Sequence, residues 1–434
     1  MSAPSPLHTL SLGEARARFG DGTLTPSGYA AWLLAHAQGS DPTIHAWAHL
    51  DPAHVQARAA AADLVHRTAQ GPLHGLPIGF KDIIGTEALP TQFGSPAFAG
   101  HRVARDAECV QRLITAGGYV FGKTVTTEFA FMHAGPTRNP WNVAHTPGGS
   151  SSGSAAAVAA RHVPAAVGTQ TNGSVIRPAA FCGVVGFKPT LGAIAFDGVN
   201  VFSATFDTLG TFTRSVDDAA RLASVLARPG RIAPRIVARE RPPRIAFLDR
   251  LPWTTIDIEA ADALDAVATR LRLAGADVIP VALPDALADA AAVHRTLMYY
   301  EGAQNLGHLP RANVSAALAR ALDEGAAIDA GEYLRAKAAR QAMRAAAIDW
   351  ISHFDAVMSA PARGTAPADL TVTGDPACCT LWSLLGFPAI ALPIGLAANR
   401  MPLGMQLAST LDDDDSLLSV AAWVETRLPF RGLP

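Results

Sequence analysis

Short apolar runs of strand length alternate with capped, helix-forming segments along almost the whole chain. Such alternation calls for a sheet buried between helices, an α/β fold with both sheet faces covered. The strand-like runs are GLPIGFKDII (75–84), YVFGKTV (119–125), RIAFL (244–248), ADVIPVAL (276–283), DAVMSAP (355–361), FPAIALPIG (387–395) and PLGMQLA (402–408). Between them, TPSGYAAWLLAHAQG (25–39) reads as a helix ending at Gly39. DPAHVQARAAAADLVHRTAQG (51–71) places Asp51 at an N-cap, Pro52 at the first helical position and Gly71 just past the end. Residues 106–118, 154–161 and roughly 257–274 are helical in pattern, and the alanine-rich stretch 285–350 is mostly so. The Pro- and Arg-rich run 228–244 lacks periodicity and reads as a surface connection. No repeat divides the chain, so residues 1–434 are expected to form one domain.

Composition narrows the function classes. A net charge of −2, with 17% of residues charged, gives no electrostatic case for binding nucleic acid or an anionic membrane. Residues 376–399 carry no charge, but Pro376, Gly386, Pro388, Pro393 and Gly395 interrupt them, so a short helix and a buried strand are expected rather than a membrane span. The N-terminus has no basic segment followed by an apolar one, which points to the cytoplasm. Cys109, Cys182, Cys378 and Cys379 form neither a C-x-x-C pair nor a disulfide framework and read as buried thiols. His133, His145 and His162 make no metal-ligand set, and Asp412 to Asp415 suit a helix N-terminus rather than a calcium loop. Neither a metal nor an organic cofactor is expected.

Three motifs compete for the chemistry. Gly117 to Thr124 spells G-x-x-x-x-G-K-[ST], but a helix precedes it and its interior Tyr-Val-Phe is strand material, the reverse of a phosphate-binding loop. Gly149-Ser150-Ser151-Ser152-Gly153 fits the G-x-S-x-G elbow, yet the residues before it (138–148) read as loop. Of the downstream histidines, His294, His308 and His353, none sits in a Gly-rich strand-end setting. The third candidate joins Lys81, the loop PGGSSSGSAAAVAA (147–160) and GTQTNGSVIRPAAFCG (168–183).

In this third set the sequence resembles the amidase signature family. GPLHGLPIGFKD, GKTVTTEFA, TRNPWN, the Gly/Ser loop, FCGVVGFKPT and LLGFPAIALPIG follow in the family's order over nearly the whole chain. The resemblance implies a single domain with a large mixed β-sheet and a Ser–cis-Ser–Lys triad. Ser174 would be the nucleophile, Ser150 (after a cis peptide from Gly149) the relay and Lys81 the base. By carry-over, the backbone N–H groups of Thr171, Asn172, Gly173 and Ser174 are candidates for the oxyanion hole. Gly149, Ser151 and Ser152 would support the loop, the two serines by capping the next helix or holding the triad in place.

The chemistry explains the residue types. An amide is a poor electrophile, so the attacking hydroxyl must lose its proton as it attacks. A lysine can take that proton only if burial lowers its pKa from about 10.4, and a strand as apolar as GLPIGF suits that task.

The chain departs from the family's usual G-[ST]-D-[TI]-G-G-S-I-R. Gln170 stands for the aspartate, Asn172 for a glycine, and Ile176 for the arginine, with Arg177 one residue on. The V-I-R-P spelling is closer to the malonamidase branch and implies that Arg177 meets an anionic group on a small substrate. The expected activity is therefore hydrolysis of a small-molecule carboxamide by an enzyme that needs no partner, its apolar composition suiting a homodimer. The alternatives are the A-type subunit of a tRNA-dependent amidotransferase, or an inactive binding protein on the same fold. The 285–350 helices are expected to supply specificity.

Overall fold

The computed structural model describes residues 7–434 apart from Ala238, Pro429, Arg431 and Leu433. Part of the N-terminal reading, and one residue of the 228–244 connection, lie outside the described residues.

Among the described residues, eleven strands form one sheet: β1 (Trp47–His49), β2 (Pro77–Lys81), β3 (Tyr119–Thr124), β4 (Ala165–Gln170), β5 (Val185–Lys188), β6 (Thr208–Thr213), β7 (Arg244–Phe247), β8 (Asp277–Pro280), β9 (Ala356–Ser359), β10 (Ala389–Leu396) and β11 (Pro402–Ala408). Their order is β1-β3-β2-β4-β6-β5-β10-β11-β9-β7-β8. Parallel pairs (β2–β3, β2–β4, β7–β8, β7–β9) and antiparallel pairs (β4–β6, β5–β6, β5–β10, β10–β11, β9–β11) make the sheet mixed. Every residue of β2, β3, β4 and β6 is buried, as strands covered on both faces require.

Thirteen helices among the described residues cover the sheet: α1 (Leu12–Asp21), α2 (Pro26–Ile44), α3 (Pro52–Asp63), α4 (Glu108–Thr115), α5 (Ser152–Ala159), α6 (Ile176–Cys182), α7 (Val216–Leu226), α8 (Ile258–Leu273), α9 (Ala290–Leu306), α10 (Ala316–Ala327), α11 (Ala330–Ile351), α12 (Thr380–Leu385) and α13 (Asp414–Glu425). None of them is long and apolar enough to cross a membrane.

Two helix ends differ from the sequence expectation. α2 does not stop at Gly39 but continues through Pro42 to Ile44, because its buried face (Leu33, Leu34, Ala37) extends to Ile44. Its end is held by Asp41, whose carboxylate accepts from the N–H of Ala46 at 2.7 Å. α3 begins at the Asp51 cap as expected, but ends at Asp63, well short of Gly71. The next residue, Leu64, is 87% exposed, so there is no further apolar face to bury.

The acidic run at 412–415 does more than complement a helix dipole. Asp414 is buried and accepts from the N–H of Thr190 at 2.8 Å, and Asp412 pairs with Arg231.

Candidate active site

β2 and β4 run parallel side by side, with Phe80 level with Val167. Their ends therefore bring Lys81 and Thr169 together, although 88 residues separate them. Lys81 has no exposed surface. Its Nζ donates to Ser150 Oγ at 2.7 Å and to Thr169 Oγ1 at 2.8 Å. Burial pushes its pKa well below the usual lysine value, opposed only by the charge of Asp207. The shift is toward the neutral amine, the form a base requires.

The Ser150 loop is clamped on both sides. The Gly149–Ser150 peptide is cis. Arg177 Nη2 donates to Gly149 O at 2.7 Å, and the N–H of Thr127 donates to Ser150 O at 3.1 Å. Gly148 is left-handed at φ 81°, and a Cβ there would lie 2.9 Å from Pro178 Cα, so only glycine fits.

Ser151 stands at the N-cap position of α5 but makes no capping bond. Its hydroxyl instead donates to Thr169 O at 3.1 Å and accepts from Thr169 N at 3.2 Å, which fixes the residue that holds Lys81. Ser152 does not cap either; its hydroxyl reaches back to Val125 O at 3.4 Å. Of the two roles expected for these serines, capping is not seen: Ser151 is hydrogen-bonded to Thr169, the residue beside Lys81, and Ser152 turns back to Val125, just past β3.

Ser174 lies between β4 and α6, in a loop that Gln170 organises. Gln170 Oε1 accepts from the N–H groups of Val175 (2.8 Å) and Ile176 (3.0 Å), the otherwise orphaned donors at the start of α6. Its Nε2 donates to Ser383 Oγ at 3.0 Å, a bond that an aspartate could not make. Ser383 in turn donates to Asn172 O, and Thr380 donates to Asn172 Oδ1 at 3.0 Å. Two of the three departures from the family spelling, Gln170 and Asn172, are thus tethered to α12. The N–H groups of Asn172, Gly173 and Ser174 donate to no protein acceptor among the described residues.

Ser174 is 9% exposed and lines a cavity together with Thr171, Asn172, Gly173 and Arg177. Its hydroxyl makes no hydrogen bond among the described residues, so Lys81 and Ser150 are joined directly while Ser174 meets the cavity. Arg177 is 4% exposed. Besides its bond to Gly149 it donates to Thr373 Oγ1 at 3.2 Å, while its Nη1 has no partner and lies 3.3 Å from where a Cβ on Gly173 would stand.

Two further residues have no sequence signal. Asp207 is buried and accepts from Thr171 Oγ1 at 2.6 Å and from the N–H groups of Phe202 (2.7 Å) and Ser203 (3.0 Å). Burial pushes its carboxyl up to about 6 despite those donors and Lys81. His294, on α9, is stacked on Phe206 with ring centroids 4.4 Å apart, and its Nε2 meets Thr171 O at 3.1 Å. Burial lowers its pKa to about 4, so it is neutral and donates through Nε2 to that carbonyl. Only the folded chain brings Asp207 and His294 to the loop.

The phosphate-loop lookalike is a core strand. Lys123 is buried in β3; its Nζ donates to Ile84 O (2.8 Å) and Thr91 Oγ1 (2.7 Å) and pairs with Asp82 at 3.3 Å. The Lys123 amine is thus taken up within the core and does not reach out to a phosphate. Of the three histidines, His162 is buried between Ser40 Oγ (2.7 Å) and Trp47 Nε1 (3.1 Å), while His133 is exposed. Among the described residues no cluster of His, Cys, Asp or Glu could hold a metal.

The chain is similar to several known proteins. The model of the amidase family matches residues 31–418. The chain is 31% identical to the A-type subunit of the glutamyl-tRNA(Gln) amidotransferase of Solidesulfovibrio magneticus, over 98% of each chain. It is 33% identical to the corresponding protein of Thiobacillus denitrificans, over 88% of this chain and 89% of that one. Among solved structures, the native peptide amidase of Stenotrophomonas maltophilia superposes with a TM-score of 0.85 at 30% identity, over 99% of both chains. A 6-aminohexanoate cyclic dimer hydrolase does so with a TM-score of 0.85 at 26% identity, over 98% of both.

Proposed function

The chain belongs to the amidase signature family, and from that premise we propose that it hydrolyses a carboxamide through an acyl-enzyme on Ser174. The observation that carries this reading is the buried Lys81 amine, 2.7 Å from Ser150 Oγ, beside the cavity that Ser174 lines. In the proposed reaction Ser174 Oγ attacks the carbonyl carbon as its proton passes to Ser150, whose own proton passes to neutral Lys81. The N–H groups of Thr171 to Ser174 face the developing oxyanion. The protons return through Ser150 to the leaving nitrogen, the C–N bond breaks, and ammonia or an amine departs. Water then attacks the ester by the same route and releases the carboxylate. No step draws on a cofactor.

Arg177 serves this site twice. One nitrogen holds Gly149, and the unpartnered Nη1 supports recognition of an anionic or carbonyl group on a small substrate.

Intact mass after exposure to a fluorophosphonate tests the reading. One adduct is expected, lost in Ser174→Ala and strongly slowed in Lys81→Ala. An adduct on Ser151 instead would revive the nucleophile elbow.

The curated relatives favour a second reading, in which the chain is an amidotransferase A-type subunit that passes ammonia to a partner. Against it, the alignment to the Solidesulfovibrio protein spans 480 positions, 46 more than the 434 residues of this chain, so that protein carries segments this chain lacks. Amide hydrolysis by the purified chain alone supports the first reading. Activity that appears only with co-purifying subunits and tRNA supports the second. An intact Lys81–Ser150 pair argues against an inactive binding protein.

A further inference from the structure

Part of the cavity beside Ser174 is walled by Phe131, Met132, Phe202 and Met298, which amide chemistry does not use. Phe131 and Phe202 stack with ring centroids 5.2 Å apart and are packed into a small core with Leu306, Leu318 and Leu322 of α9 and α10. Phe202 is seated on α9 because residue 302 is glycine: a Cβ there would lie 2.8 Å from the ring. Asn305 fixes the backbone of that residue, Nδ2 donating to Phe202 O at 3.1 Å. Met298 lies one turn before Gly302 on the same helix face, since residues four apart share a face. A single helix of the 285–350 region thus both presents one wall residue and seats another.

We infer that these side chains form the specificity pocket, that it takes a compact aliphatic group of the substrate, and that Met298 sets its depth. The inference rests on the Ser174 reading. Such an apolar wall offers no partner to a polar group, which would lose its hydrogen bonds to water on entry. Size decides between aliphatic and aromatic groups. The whole cavity, the polar Ser174 side included, has a volume of about 60 Å³, whereas an apolar cavity that holds benzene measures about 150 Å³. A short branched alkyl group fits, and an aromatic ring needs the Met298 side chain removed.

The test compares labelling rates of two fluorophosphonates, one bearing isopropyl and one phenyl on phosphorus, read as intact mass, so no turnover is needed. In the wild type the isopropyl probe is expected to label at least about tenfold faster, the discrimination a shaped apolar pocket gives. Met298→Ala is expected to speed the phenyl probe by about tenfold or more and to slow the isopropyl probe, which loses its contact with that wall, so the preference inverts or disappears. Met298→Leu, which nearly conserves volume, keeps the wild-type preference and reports on folding. Equal wild-type rates, or a ratio unmoved by Met298→Ala, overturn the pocket and leave the Ser174 reading standing. An adduct that survives Ser174→Ala overturns that reading and this inference with it.

Discussion

Arg177 Nη2 lies 2.7 Å from the carbonyl oxygen of Gly149, tying the first turn of α6 to the peptide that carries Ser150. A fully buried guanidinium is costly unless its donors are used, yet its Nε and Nη1 are unpartnered. Arg177→Ala is expected to lower kcat/KM for every amide by loosening Gly149, and for anionic amides by a further tenfold or more. That additional loss reflects a charge-assisted hydrogen bond, about 1.5–3 kcal/mol. Steady-state kinetics on a neutral and an anionic amide of matched size check it; equal losses on the two would sink carboxylate recognition.

The pH profile follows from Lys81. Its pKa is lowered by burial, so the neutral base is present well below the usual lysine range, and kcat/KM should rise with pH through that pKa and then level off. Asp207 acts on Lys81 in the opposite sense, raising its pKa. Asp207→Asn removes that charge while keeping an acceptor for Thr171, so the rising limb should move to lower pH. A limb that moves upward contradicts the assignment of Lys81 as the titrating base.

His294 links stability to pH. Its folded pKa is about 4, below an unfolded value of about 6.5. The unfolded chain therefore takes up the proton first as pH falls. The stability is fully present above about pH 6.5 and is lost progressively down to about 4, by about 3 kcal/mol. Urea denaturation at stepped pH should show this loss, and His294→Gln should flatten it.

Gln170 and Ser383 are expected to act as a pair. Gln170→Glu keeps an acceptor for Val175 and Ile176 but loses the donor to Ser383. It should slow catalysis and cost about 1–3 kcal/mol of stability. A double-mutant cycle with Ser383→Ala should give a coupling of at least about 0.5 kcal/mol. Strictly additive effects would show that the bond contributes nothing.

Lys123→Met should leave Asp82 buried and unpaired and cost about 3–5 kcal/mol. Lys123→Met combined with Asp82→Asn should recover part of that. Calorimetric titration with ATP should give no binding heat for the wild type, since Lys123 is already bonded within the core. Measurable ATP binding that is lost in Lys123→Met would restore the phosphate-loop reading.

Alternation of strand and helix patterns was enough to specify an α/β sheet covered on both faces, because side-chain period and apolar patterning are local properties of the chain. The resemblance to the amidase signature family, carried by motifs along nearly the whole chain, marked Lys81, Ser150 and Ser174 as the candidate triad. Tertiary structure decided what lay across sequence distance. Gln170 read as a departure until Ser383 came beside it, 213 residues on. Ser151 and Ser152 read as caps or as supports of the triad, and the fold decided between these roles: β4 and Val125, just past β3, offered their hydroxyls partners that α5 did not. Asp207 and His294 carry no local signature, since a buried carboxylate and a buried imidazole have their roles only through the Thr171 loop packed against them. The end of α2 escaped notice for the same reason: Gly39 is a helix stop in isolation, and the burial of Ile44 overrides it.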